Sequence, residues 1–203
     1  MKTTRYLAIL TVAALLGACA KPDASSPADN AGAPQAAAPA APALSEADQA
    51  YQDAKRLLDA NAQGQQLTDA VNLLLKSSAA GNGDAKVLLA KLYRDGRGLP
   101  ANPGESINLL NAASAAGNAS AAYELGLLFE SGTGVSKNPG EATNNFLKAA
   151  QAGNSDAMLK VAEAFRSGNG APEDMEQAAN WYRKAAEAGN ADAAAQLKQL
   201  ETK

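Results

Sequence analysis

The chain of 203 residues contains no histidine, a single cysteine, a single tryptophan, and only 4% aromatic residues. Without histidine it lacks the commonest general base near neutral pH and the commonest metal ligand. One cysteine excludes an internal disulfide. Scarce aromatics argue against a sandwich or barrel built from aromatic and β-branched strands. No Ser-x-x-Lys, no Gly-x-Ser-x-Gly and no metal-ligand cluster occurs. No catalytic residue, no cofactor-binding residue and no metal site is therefore expected. The formal charge of -3 comes without a cluster of basic residues, which speaks against nucleic acid as a partner. What the chain does have is alanine, within an apolar content of 46%. That composition suits closely packed helices with small side chains at their contacts, and predicts an all-α fold with a thin core.

Lys2 and Arg5 precede an apolar run from Leu7 to Leu16, which ends in Leu16, Gly17, Ala18 and Cys19. This is the layout of a secretory signal over residues 1–18, and the run is well short of the roughly 20 residues a helix needs to cross a bilayer. The sequence LGAC resembles the lipobox of bacterial lipoproteins. The resemblance implies that Cys19 receives a diacylglyceryl group and becomes the mature N-terminus, anchored stably by two or more acyl chains. Alanine at position 20, where aspartate would retain a similar lipoprotein at the inner membrane, implies an outer-membrane anchor with the domain in the periplasm. Cleavage removes Lys2 and Arg5 and leaves 16 basic against 21 acidic residues. Residues 20 to 43 are almost entirely Ala, Pro, Ser, Asp and Gly, and hold five of the nine prolines: Pro22, Pro27, Pro34, Pro39 and Pro42. Such a segment buries too little surface to offset its ordering entropy, and at about 3.1 Å per residue it reaches up to roughly 75 Å. Residues 19–43 read as a lipidated tether.

The remainder is periodic. Four Gly-Asn pairs, at 81–82, 117–118, 153–154 and 189–190, follow one another at a spacing of 36. The same period links Gly96 to Gly132 and Gly168, Gly98 to Gly134 and Gly170, and Leu89 to Leu125, Val161 and Leu197. Each period divides into two helices. The first has an apolar stripe of Ala85, Leu89, Leu92 and Tyr93, repeated at Ala121, Leu125, Leu128 and Phe129 and again at Ala157, Val161, Ala164 and Phe165. The second opens at Asn102-Pro103-Gly104-Glu105 and Asn138-Pro139-Gly140-Glu141, each a cap residue with proline at the first helical position and an acid three places on; Asp174 and Gln177 serve in the third copy. Small residues dominate the shared positions, so no helix pair has enough apolar face to stand alone and stacking is obligatory. Ser45 with Asp48 predicts a capped helix, and residues 44–68 read as an N-terminal cap to a solenoid over 44–203, with 191–201 as the closing helix.

The pattern Ala, Leu, Gly and aromatic, then Gly-x-Gly, then Ala, aromatic, Ala-Ala and Gly resembles the Sel-one-like repeat family, relatives of tetratricopeptide repeats. The stretch AAYELGLLFESGTGVSKNPGEATNNFLKAAQAGN, Ala121 to Asn154, carries it almost completely; the first and third copies have Ala90 and Ala162 in place of Gly126. The resemblance implies a right-handed α/α superhelix whose first helices line a concave face, and adaptor or scaffold roles through that face. The function expected is a non-catalytic envelope lipoprotein that binds a protein or peptide and needs no cofactor. Similar lipoproteins imply a second class, an immunity protein neutralising a secreted toxin. A third, a hydrolase of β-lactams or cell wall, is implied by cysteine-rich members whose disulfide cysteines are missing here.

On the first helices, positions off the buried stripe are expected to face that groove: Val87, Lys91 and Arg94, then Tyr123, Leu127 and Glu130, then Leu159, Glu163 and Arg166. The equivalence of Val87, Tyr123 and Leu159 predicts an apolar strip with charged borders. The alternative is that these side chains fill gaps between helices. Arg94, Glu130 and Arg166 alternate in sign at one repeat position, as a ladder would. Asn72, Asn108, Asn144 and Asn180 recur in mid-helix and read as a tolerant solvent face. Trp181 and Tyr182 fall at the slot of Leu110 and Phe146, which predicts core packing. The Gly-x-Gly triplets lack a preceding strand and a following lysine, so they read as turns.

Overall fold

The computed structural model describes residues 44–202. The signal segment 1–18, Cys19 and the tether 19–43 lie outside the described residues. Among the described residues there are nine helices and no strand: α1 Glu46–Asp59, α2 Gly64–Ala79, α3 Gly83–Asp95, α4 Pro103–Ala115, α5 Ala119–Ser131, α6 Pro139–Gln151, α7 Ser155–Ser167, α8 Met175–Glu187 and α9 Ala191–Glu201. Each helix packs on its neighbours in sequence, and the first helices α3 and α5 also touch one another directly. The fold is an all-α solenoid of two-helix units.

Local chemistry places every junction. The backbone N–H of Asn82 donates to the Ser77 carbonyl five residues back at 3.1 Å, and Asn118, Asn154 and Asn190 close their helices in the same way at 2.9–3.0 Å. Each then opens the next helix, its Oδ1 accepting from the backbone N–H three residues on at 2.8–2.9 Å. At three junctions the free amide has a further task. Asn82, Asn118 and Asn190 donate to Asp48, Asp84 and Asp156 of the preceding unit at 2.7–2.8 Å. One asparagine thus ends a helix, starts a helix and ties two units together. In the fourth case Ser120 stands at the position of the acid. Asn118→Asp keeps the cap acceptor but sets a carboxylate against Asp84. It is expected to lower stability at neutral pH by about 1 kcal/mol more than Asn154→Asp does, the scale of two like charges about 4 Å apart in water. Denaturation of both variants at pH 7 and at acid pH checks this, since protonation removes the difference.

The cores are shared between units, which explains why stacking is obligatory. Ala54, Val71 and Leu74 from α1 and α2 meet Ala85, Leu89 and Leu92 from α3. Leu110 and Ala113 of α4 meet Ala121 and Leu125 of α5, Phe146 and Ala149 of α6 meet Ala157 and Val161 of α7, and Tyr182 and Ala185 of α8 meet Ala193 of α9. One large side chain anchors each layer in a column of Leu74, Leu110, Phe146 and Tyr182, all nearly or fully buried.

The stretch 44–68 holds α1 and the opening of α2, and α1 with the whole of α2 forms a two-helix unit. Its outward row is Gln49, Asp53 and Arg56, where inner first helices carry Ala85, Leu89 and Leu92. Nothing described packs outside that row, and polar side chains suit it. Ser45 caps α1 by accepting from the Asp48 N–H at 3.1 Å. At the other end Ala193, Leu197 and Leu200 of α9 lie over the α7–α8 layer.

Candidate functional site

The first helices carry the charged side chains that cross between units, and they cross with a change of polarity. At the α3–α5 boundary Lys91 Nζ lies 2.7 Å and Arg94 Nη1 3.2 Å from the two oxygens of Glu124. Glu124 is buried there, and Arg94 also holds Asp95 at 2.9 Å. The hydrogen bond that Arg94 donates to Asp95, with the charges of Asp95 and Glu124, outweighs desolvation and holds the Arg94 pKa above its ordinary value. One unit on, Glu130 stands at the repeat position of Arg94 and Lys160 at that of Glu124, and these two meet at 3.2 Å. Lys160 also lies 3.6 Å from Glu163. Burial disfavours the charged ammonium of Lys160, but the hydrogen bond and charge of Glu130, with Glu163, prevail and raise its pKa. Its ion pairs are therefore complete at neutral pH and are lost only as pH rises through a value above the usual lysine range.

At the next step Arg166 Nε donates to the hydroxyl of fully buried Tyr182 at 3.0 Å. Burial raises the Tyr182 phenol pKa, while Arg166 pulls against that shift. Exposed ion pairs contribute little, about 0–1 kcal/mol each, but a buried carboxylate is different. Glu124→Leu is expected to destabilise by about 1–3 kcal/mol because it strands Lys91 and Arg94 beside an apolar contact. Adding Lys91→Met should recover part of that loss in a urea titration.

Between α5, α6 and α7 lies a cavity of about 240 Å³, lined by Glu130, Lys160, Glu163, Ala164, Arg166 and Ser167 from the first helices and by Pro139, Ala142, Thr143 and Phe146 from α6, with Asn169 beyond α7. Its floor is apolar and its edge carries two carboxylates, one ammonium and one guanidinium. Gly126 of α5 makes room for the floor, since a Cβ there would overlap the Phe146 ring. Tyr123 of α5 also meets that ring, tilted, with centroids 5.7 Å apart.

Of the nine side chains expected to face the groove, Glu130, Glu163 and Arg166 come together in this cavity. Lys91 and Arg94 join instead around Glu124. Val87 is a correction to the expected apolar strip: it is 5% exposed and belongs to the core that α5 completes, while Tyr123 and Leu127 stay half-buried on the α6–α7 layer and Leu159 on the α8 layer. The reason for Val87 is that its side chain leans toward the next unit, whose first helix α5 covers it. The expected ladder is corrected as well, because Arg94, Glu130 and Arg166 pair with Glu124, Lys160 and Tyr182 and not with one another. Glu124 and Lys160 went unnoticed in the sequence, although they share one repeat position with opposite charge, the mirror of Arg94 and Glu130. Tyr182 is core, and Trp181 is half-buried with Lys184 Nζ 4.3 Å from its ring centroid. Asn72, Asn108 and Asn144 are exposed, and Asn180 is half-buried. Among the described residues no group of His, Cys, Asp and Glu is arranged to hold a metal, and no helix is long and apolar enough to cross a membrane.

The family model described as Sel1 repeat matches three consecutive stretches, residues 83–118, 119–154 and 155–190. Among solved structures, the chain is similar to a protective antigen present in uropathogenic Escherichia coli strains and displaying an SLR fold. Identity is 27% and the TM-score 0.67, over 74% of this chain and 32% of that one. It is similar to a Sel1 repeat protein from Oxalobacter formigenes at 25% identity and a TM-score of 0.69, over 75% of this chain and 62% of that one. Likeness to the Helicobacter pylori cysteine rich protein B, at 18% identity and a TM-score of 0.55 over 64% of this chain and 97% of that one, extends to the fold alone. The chain thus spans about a third of the first of these proteins and under two thirds of the second. No curated protein matches it.

Proposed function

Because the chain belongs to the Sel1 repeat family, we propose that it is a non-catalytic scaffold that binds a protein partner through its first helices, centred on the cavity between α5, α6 and α7. The observation that carries this reading is the convergence of Glu130, Lys160, Glu163 and Arg166 around one apolar-floored cavity. Repetition puts side chains at matching places on α5 and α7, so a partner meets them side by side. The cavity supplies binding elements, a few placed charges over an apolar surface.

We further propose that LGAC and the Pro-Ala segment deliver this scaffold to the outer membrane as a lipoprotein tethered through Cys19 and facing the periplasm. Two lipid chains and up to roughly 75 Å of extended tether would let the solenoid reach partners away from the bilayer.

The test is a photoactivatable crosslinking residue introduced in cells at Glu130 or Arg166, with Asn72 and Asn108 on the second helices as controls. Capture of the same protein from the first two positions and not from the controls is the expected result. Equal capture from all four, or none, overturns the first-helix site. Labelling with a fatty-acid probe that disappears in Cys19→Ser tests the anchor separately.

A further inference from the structure

We propose that the cavity between α5, α6 and α7 receives one basic side chain of the protein partner, arginine before lysine. The inference rests on the scaffold reading and names the chemistry of that same site.

Size comes first. At about 240 Å³ the cavity falls below the roughly 300–1,000 Å³ that enclose a drug-sized ligand. It has room for one side chain. The shape of its lining suits a long stem with a polar head, since Phe146, Ala142 and Ala164 form an apolar floor beneath a charged edge.

Charge decides the sign of that head. The two boundaries between neighbouring first helices differ. At α3–α5, one buried carboxylate, Glu124, is saturated by Lys91 and Arg94. At α5–α7, two half-exposed carboxylates share one ammonium, with Glu130 at 3.2 Å and Glu163 at 3.6 Å from Lys160 Nζ. Only Glu130 Oε1 and Glu163 Oε2 are used, which leaves the second oxygen of each without a donor among the described residues. The two carboxylates are thus neighbours on one ammonium, and a planar guanidinium with its five donors is the side chain best suited to address both. Thr143 adds a buried oxygen to the lining: its hydroxyl donates to the Pro139 carbonyl at 3.0 Å and keeps its lone pairs as acceptors.

The fourth charge, Arg166, balances the sum, so the lining carries two carboxylates and two cations. Its Nε is committed to the Tyr182 hydroxyl at 3.0 Å, which anchors the guanidinium toward α8. Lys160 in turn has its charge matched by Glu130 and Glu163. An incoming carboxylate is left with the Nη groups of Arg166, whose Nε is held by α8, whereas an incoming guanidinium finds two free acceptor oxygens between α5 and α7. Arginine is favoured over lysine because its fork offers parallel donors to both carboxylates, where lysine offers a single point charge.

The test uses the full chain, isotopically labelled, titrated with the blocked tripeptide acetyl-Gly-Arg-Gly-amide. The versions carrying lysine, glutamate or neutral citrulline in the middle serve as comparisons. A lone side chain binds weakly, on the scale of about 1 mM, so amide chemical shifts are the readout. Shifts confined to the cavity lining are expected with the arginine peptide, at an affinity about tenfold or more above that for citrulline, the fold-change of losing one charge-assisted bidentate contact. Glu130→Gln with Glu163→Gln should erase the difference between the two peptides. Ala164→Leu fills the cavity while keeping both carboxylates, and should remove the shifts altogether.

Equal binding of arginine and citrulline, tighter binding of glutamate, or no cavity shifts at about 20 mM peptide, well above that scale, overturns the proposal. If crosslinking at Glu130 captures a partner while the arginine peptide shows no preference, the scaffold reading stands and the basic-side-chain inference alone falls.

Discussion

Phe146→Ala is expected to cost about 3–5 kcal/mol, the usual loss for emptying an aromatic site in a closed core. At roughly 2–4 °C per kcal/mol for a chain of this size, the thermal midpoint should fall by about 10 °C. The ring is 3% exposed and forms the middle of the layer that joins α5 and α6 to α7. It also fills the space that Gly126 leaves open, so the two residues are one packing decision. Gly126→Ala alone gains about 1 kcal/mol of helix propensity and loses about 1–3 kcal/mol to overlap with the ring. A net loss is expected. The first unit solves the same problem with Ala90 opposite Leu110. Gly126→Ala with Phe146→Leu copies that pair and should be more stable than the sum of the single changes predicts, with a coupling of about 1–2 kcal/mol in a double-mutant cycle. Strictly additive losses would show that the two positions pack independently.

Gly170→Ala is expected to destabilise by about 2–5 kcal/mol through two effects. Its φ of +91° lies where a Cβ is strained, at a cost of about 1–2 kcal/mol. A Cβ there would also overlap the Pro139 carbonyl and the Thr143 hydroxyl. A backbone carbonyl cannot rotate away as a side chain can, so the turn after α7 must lift from the start of α6. Gly98 provides the control. It also has a positive φ, but its added Cβ would meet the side chains of Leu67 and Val71. These can adjust, and Gly98→Ala should cost less, mainly the strain that both positions share. Urea unfolding of both variants checks the order. Hydrogen exchange should show the Gly170→Ala loss concentrated in α6 to α8, because in a solenoid each unit depends on its immediate neighbours.

The helices and their boundaries were legible because punctuation in this chain is local chemistry. Asn102 and Asn138, each with a proline after it, mark helix starts from three or four consecutive residues. The Gly-Asn pairs mark junctions in the same way. The buried stripes were equally readable, since Ala85, Leu89 and Leu92 recur at helical spacing and need only a neighbour to cover them. The third task of Asn82, Asn118 and Asn190 was not visible, because their partners Asp48, Asp84 and Asp156 lie in another unit. The candidate site was read in part for the same reason. Helical spacing put Glu130, Glu163 and Arg166 off the buried stripe, and they do line the cavity. The same spacing also put Val87 there, although α5 closes over it. Periodicity assigns a side chain to a face of its own helix but does not say how far the next helix overhangs that face.

By itself, the sequence determined an all-α chain of units repeating every 36 residues, with caps, turns and core rows in place, because each of these depends on neighbours within one or two helical turns. Only the tertiary structure decided which charges meet. Pairs such as Arg94 with Glu124 and Glu130 with Lys160 join residues 30 apart in the chain, on successive first helices, and which of them meet depends on how the shared layer of side chains sets those helices against one another.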